Sequence, residues 1–296
     1  MPAELIVDAR NATGESPVWH VQEQALYWVD IPARRLQRWS PADGRTQSWS
    51  GAEMLACIAR HADGGWIAGM QSGLFRLQPN ADGSLQASAL IGVQHAQPGM
   101  RFNDGRCDRQ GRFWAGSMLQ DMAAGAPLGA LYRYSAGQSE PLGAQLRELI
   151  VPNGLAFSPD GKTMYLSDSH PAVQAIWAFD YDTDTGTPHN RRLFVDMREH
   201  PGRPDGAAVD AEGCYWICAN DAGLIHRFSP DGRLDRSLAV PVQKPSMCAF
   251  GGRQLDTLFV TSIRPAGVDL AEQPLAGGVF ALRPGVTGLE EPPFAT

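Results

Sequence analysis

"CYWICANDAGLIHRFSPDG", residues 214–232, contains two strand-like runs, a polar gap and a Ser-Pro-Asp-Gly turn. The first run is rich in aromatic and β-branched residues, which suit a pleated strand, and the Gly, Pro and Asp positions punctuate it. The same unit returns five more times. "LYWVD" (26–30) precedes "LQRWSPADG" (36–44), "GWIAG" (65–69) precedes "GLFRLQPNADG" (73–83), and "RFWAG" (112–116) precedes "GALYRYSAG" (129–137). "MYLSD" (164–168) precedes "AIWAFDYDTDTG" (175–186), and "LFVTS" (258–262) precedes "GGVFALRPG" (277–285).

Tyr27, Trp66, Phe113, Tyr165, Tyr215 and Phe259 serve as equivalent anchors, spaced by 39, 47, 52, 50 and 44 residues. A period of roughly 40 to 50 residues with short strands and turn signals is the mark of a β-propeller blade. Six units predict an all-β, six-bladed propeller occupying residues 1–296 as a single domain, since no linker or charge block interrupts the series. Alternation within "LYWVD" and "ALYRY" predicts strands with one face toward a neighbouring blade. The N-terminal "ELIVDA" (4–9) has no partner of its own and is expected to join the sheet of "GGVFALRP", closing the ring. The aspartates of "SPDG" (158–161, 229–232) and "SPADG" (40–44) read as turn residues without a chemical role.

Composition narrows the function. The chain has 296 residues, 43% of them hydrophobic, and a formal net charge of -7, with no basic stripe for nucleic acid. No apolar run reaches the length of a membrane span, and the N-terminus lacks a secretory apolar region. Five scattered cysteines (Cys57, Cys107, Cys214, Cys218, Cys248) make no disulfide framework and no zinc pattern, consistent with a cytoplasmic protein. A closed propeller protects its strand edges, so a monomer or weak homo-oligomer is expected.

Counting back ten to twelve residues from the anchors reaches the innermost strand of each blade. There stand Glu15 in "GESP", Asn103 in "FNDG", Asn153 in "PNGL" and Asp205 in "PDGA", while two blades offer Met54 and Met247. Four oxygen-bearing side chains at one level around a channel are costly to bury unless a cation joins them. Oxygen donors suit calcium, magnesium or manganese and also accept zinc or ferrous iron. The seven histidines share no common offset and no metal-ligating spacing, and no GxSxG serine motif occurs.

At these residues the chain resembles the family of senescence marker protein 30, gluconolactonases and luciferin-regenerating enzymes. "GESPVWH", "RFNDGRCDRQGRFWAGSM", "VPNGLAFSPDGKTMYLSDS", "RPDGAAVDAEGCYWICAN", "KPSMCAFGG" and "AGGVFAL" stand in the family's order. The resemblance implies a six-bladed propeller with one divalent metal and lactonase activity on sugar lactones. It further implies Glu15, Asn153 and Asp205 as metal ligands, Asp205 also as general base, and Arg101 with Asn103 as contacts to the substrate. Animal members carry a glutamate after a "GTM" motif, where this chain has "GSMLQD" and Asp121, one methylene shorter, so Asp121 is the expected counterpart in substrate binding. The loop Leu119 to Leu128 and "SIRPAG" (262–267) are expected to form the rim, with Trp19 or Met118 as apolar contacts.

Hydrolysis of a sugar lactone needs an activated water and a stabilised acyl oxygen. A metal with open positions, Asp205 as proton acceptor and Arg101 as a fixed positive charge meet those needs. Two other readings fit the same fold: a propeller hydrolase of the arylesterase or organophosphatase type, and a non-catalytic calcium-binding or regulatory propeller.

Overall fold

The computed structural model describes residues 2–267 and 269–295. Six four-stranded antiparallel sheets follow one another along the chain. Their innermost strands are Gly14–His20, Leu55–Arg60, Met100–Cys107, Pro152–Phe157, Arg203–Val209 and Pro245–Gly251. These define blades one to six, and adjacent inner strands pack against each other around the channel. The sixth sheet takes its outermost strand from the N-terminus: Glu4–Val7 pairs antiparallel with Val279–Leu282, Glu4 opposite Ala281 and Leu5 opposite Phe280. First and last segments are thereby hydrogen-bonded, and the edge that an open ring would leave is covered.

All six anchors lie on the second strand of a blade, as the spacing predicts. Their rings meet across blade boundaries, Tyr27 against Trp66 at 4.5 Å between centroids and Tyr165 against Tyr215 at 4.9 Å. One face of these strands meets a neighbouring blade, and the opposite face is buried as well. Ala25–Asp30, Thr257–Ser262 and Tyr215–Asn220 are buried at every residue. A second strand lies inside its sheet and its sheet lies between two others, so both faces are covered. Exposure appears on the outermost strands, such as Thr46–Ser50 and Leu234–Ala239.

The turn aspartates Asp43, Asp160 and Asp231 are exposed, and Asp160 accepts hydrogen bonds from Ser158 Oγ and the Lys162 amide. All five cysteines are free and buried. No helix among the described residues is long and apolar enough to cross a membrane.

The end of the channel near the blade turns is covered by the C-terminal segment. Arg60 donates to Glu290 at 2.6 Å and Arg106 to Glu291 at 2.9 Å. The Phe294 amide donates to the Arg60 carbonyl at 2.7 Å, and its ring, 3% exposed, stacks on Tyr134 at 5.5 Å. The other end, where the inner strands begin, holds the candidate site.

Candidate active site

Every inner strand breaks register with its neighbour at the same height. The shifts fall between Glu15 and Val18, Leu55 and Cys57, Phe102 and Gly105, Asn153 and Ala156, Pro204 and Ala207, and Pro245 and Cys248. A bulge interrupts strict alternation and re-aims side chains. Glu15 and Asn153 are the last regularly paired residues before their bulges, opposite Val29 and Ser167. Asn103 and Asp205 follow the last regular pair and lie within theirs. The four residues thus occupy two adjacent levels rather than the one level expected from counting, because strand pairing shifts within each bulge.

Local conformation explains two of these bulges. Ser16 and Gly154, directly after Glu15 and Asn153, both have left-handed backbones, with φ of 49° and 60°. For Ser16 this conformation costs about 1–2 kcal/mol. Its hydroxyl accepts a hydrogen bond from the Ile58 amide at 2.9 Å, which ties blade one to blade two and offsets that cost. At Gly154 a Cβ would stand 2.5 Å from Tyr215 Oη and 2.6 Å from Ser167 Oγ, so only glycine fits.

A continuous hydrogen-bonded chain joins the site across three blades. Arg101 Nη1 donates to Asn103 Oδ1 at 2.8 Å, and Asn103 Nδ2 donates to Asn153 Oδ1 and the Pro152 carbonyl, each at 3.0 Å. Asn153 Nδ2 donates to Ser169 Oγ at 2.7 Å, and that hydroxyl donates to the Pro204 carbonyl, next to Asp205. Asp205 Oδ2 accepts from Asn220 Nδ2 at 2.6 Å. Asn103, expected to contact substrate, has both amide hydrogens committed to blade four, so the structure gives it a bracing role between Arg101 and Asn153.

Three carboxylates crowd the channel. Glu15, Asp104 and Asp205 are 8%, 5% and 7% exposed, each too little to be solvated as a free ion. Burial, with the repulsion of Asp205 and Asp104, holds Glu15 well above the usual carboxylate range. Burial likewise raises Asp205 to about 7 against the hydrogen bond from Asn220 and the charge of Arg203. Asp104 is pushed up by burial and partly drawn back by Arg106 and the Leu155 amide, which donates at 2.9 Å. Loss of hydration pulls Arg101 down to about 10, which leaves it cationic at neutral pH.

Glu15 Oε1 and Asp205 Oδ1 accept no hydrogen bond from any described residue, and Asn153 Oδ1 has a lone pair beyond the one used by Asn103. Two carboxylate oxygens and one amide oxygen, the carboxylates only partly offset by Arg101 and Arg203, are a donor set whose chemistry fits a divalent cation. No group of three His, Cys, Asp or Glu side chains that could hold a metal lies together among the described residues, so a cation at this place would also draw on the amide oxygen of Asn153.

The remaining expectations divide. Asp121 is exposed beside the short helical turn Met122–Ala124, and its side chain makes no capping bond. The rim loop carrying it touches blade four, where His170 Nε2 lies 3.3 Å from the Met122 carbonyl. Met118 lies directly across the ladder from Arg101. Trp19 is corrected: it pairs with Leu26 toward the opposite end and stacks on Phe259 at 5.2 Å, filling the contact between blades one and six. The period that places a residue on a strand does not set its height in the channel. Sequence reasoning also passed over Ser169 and Asn220, polar residues at the ends of apolar strands, and assigned nothing to Asp104, whose only signal is its place beside Asn103.

With this geometry in place, comparison with known proteins identifies the lineage. A family model described as the SMP-30/Gluconolactonase/LRE-like region matches residues 13–264. The chain belongs to this family. Within it, the 6-deoxy-6-sulfogluconolactonase of Pseudomonas putida is 41% identical over 295 residues, covering 99% of this chain and 98% of its own. Regucalcin of Danio rerio is 32% identical over 297 residues, with coverage of 99% and 97%. A crystal structure of a calcium-binding regucalcin from Agrobacterium tumefaciens superposes with a TM-score of 0.89 at 27% identity, covering 98% of this chain and 96% of the other. A gluconolactonase from Xanthomonas campestris gives a TM-score of 0.75 at 26% identity, covering 95% and 89%.

Proposed function

We propose that this chain hydrolyses a sugar lactone to the open-chain sugar acid, with Asp205 as general base and a divalent cation held by Glu15, Asn153 and Asp205. The observation that carries the reading is the meeting, at one mouth of the channel, of a braced guanidinium with two buried carboxylates. The reaction class, hydrolysis of a carboxylic ester bond, is that of the lactonases in its family. The calcium-binding description of the Agrobacterium relative supports a hard cation in the oxygen-donor set.

When bound, the cation would supply polarisation of the lactone carbonyl and a more acidic water. Asp205 takes a proton from the attacking water as its oxygen bonds to the carbonyl carbon. Asn220 holds the other carboxylate oxygen, so the free oxygen keeps its aim. Arg101 faces the charge that develops on the acyl oxygen or a sugar oxygen, and its anchorage to Asn103 removes the need to reorganise during reaction. Asp205 then returns the proton to the ring oxygen as the C–O bond breaks, leaving an alcohol and a carboxylic acid. Asn103 keeps one Oδ1 lone pair beyond its contact with Arg101 for a sugar hydroxyl, and Asp121 supplies a further contact from the exposed rim.

A proton-release assay tests this on aldonolactones and phenyl acetate, using chelated protein and protein refilled with calcium, manganese, zinc, magnesium or ferrous iron. Metal-dependent opening of lactones with little action on the ester is the expected result. Ester hydrolysis in preference to lactones, or no hydrolysis by metal-loaded protein, would overturn the reading.

A further inference from the structure

Beside Asp205 the mouth carries two cations that this reaction does not use. Arg203 begins the inner strand of blade five, and its Nε donates to Asp221 Oδ2 at 2.6 Å. Lys244 directly precedes the inner strand of blade six, and its ammonium contacts the other oxygen of Asp221 and lies 3.4 Å from Asn220 Oδ1. Asp221 is shared by two cations and Asp205 is committed to the proposed metal, so the cluster keeps a surplus positive charge. The Arg203 and Lys244 side chains are 26% and 23% exposed, which leaves them open to a ligand from solvent.

The position of this charge relative to the proposed chemistry is specific. Asn220 accepts from Lys244 and donates to Asp205, so two hydrogen bonds in series separate the ammonium from the base. Blade six faces blade three across a six-membered ring, which sets Lys244 on the side of the mouth opposite Arg101. Lys244 also lines an outer groove with Asp269 and Glu272, whose charges disfavour an anion there. A substrate whose carbonyl lay between Arg101 and Asp205 would have its far end within reach of Lys244 and Arg203.

We propose that Lys244 and Arg203 form a subsite for an anionic substituent on the lactone, a sulfonate, carboxylate or phosphate on a carbon remote from the carbonyl. An uncharged sugar is held by hydroxyl contacts and gains little from a surplus charge at this distance, whereas an anion gains a charge-assisted contact. The proposal rests on the lactone-hydrolase reading and adds the substrate's charge. The name of the Pseudomonas putida relative, which specifies a sulfonated lactone, agrees with it.

The test is the ratio of kcat/KM for an anionic lactone to that for neutral gluconolactone, in metal-loaded protein. The anionic probes are 6-deoxy-6-sulfogluconolactone, a lactone of glucaric acid and 6-phosphogluconolactone; comparing them separates the three anions. We expect the wild type to prefer at least one of them, with a KM that rises with ionic strength, unlike that for the neutral lactone. Lys244→Gln should lower the ratio about tenfold, and Lys244→Arg should restore most of it. Arg203 remains to pair Asp221 in both variants, and circular dichroism confirms the fold. Equal losses on anionic and neutral lactones would reduce the cluster to a brace for the rim and overturn the proposal. A wild type that opens gluconolactone but none of the anionic probes faster would also overturn it while leaving the lactonase reading intact. No lactone hydrolysis at all would remove both.

Discussion

The buried carboxylates make a definite prediction for the protein stripped of metal. Asp205 stands at about 7 in the fold against 3.8 for an unperturbed aspartate. The fold therefore binds this proton more tightly than the unfolded chain does. Below about pH 4 both states hold the proton and nothing is lost. As pH rises, the unfolded chain releases it first, and stability falls until the folded group has also ionised. At 1.36 kcal/mol per pKa unit, the loss from this group between pH 4 and pH 8 is about 4 kcal/mol. Glu15 is displaced in the same direction and steepens the fall. Asp205→Asn removes the ionisation and keeps an oxygen for Asn220, so the variant in chelator should lie within about 1 kcal/mol of wild type near pH 4.5 and exceed it by up to about 4 kcal/mol at pH 8. Urea denaturation at the two pH values measures this, with the wild-type minus variant difference cancelling the other carboxylates. Divalent cation at a hundred times Kd should restore about 2.7 kcal/mol to wild type and close most of the gap, because the variant has lost a ligand. Parallel pH profiles for the two proteins in chelator would refute the account of a site strained by its own charge.

Asp205→Ala, with metal resupplied, should lower lactone turnover at least about a hundredfold, the range of a general base, as read by proton release. Asn103→Ala leaves both Arg101 and Asn153 without their brace, and isothermal titration should show cation affinity reduced about tenfold or more, as for other outer-shell partners of ligands. Gly154→Ala forces a methyl against Tyr215 and Ser167 at a left-handed position. Thermal melts should show destabilisation, with cation affinity lost alongside as Asn153 is displaced. Phe294→Ala should destabilise the protein by at most about 3–5 kcal/mol, because a terminal strap can detach before the ring of blades opens. Proteolysis would then clip the C-terminus while site chemistry persists.

Much of the architecture was legible because a propeller repeats its instructions. Each blade needs an apolar second strand and a turn, so Tyr27, Trp66 and Tyr215 recur with a common period and report the blade count directly. The closing strand was legible for the same reason: "ELIVDA" is a strand without a partner, and its partner is in the last blade. The heights of side chains in the channel were less accessible. A count from the anchors found Glu15, Asn103, Asn153 and Asp205, yet it could not register the bulges that divide them between two levels. Trp19 shows the same limit, since a position four residues along a strand from Glu15 already lies toward the other end of the channel.

By itself the sequence determined the blade number, the ring closure and the polar residues of the inner strands, because these depend on local periodicity and turn chemistry. Only the tertiary structure decided which of those residues meet. The Arg101–Asn103–Asn153–Ser169 chain joins side chains from blades three and four, and Lys244 reaches Asp205 through Asn220 from the next blade around the ring. Such contacts follow from the closing of the ring and the depth of each bulge, and burial of the resulting charges sets their protonation. None of these quantities is carried by any one stretch of chain.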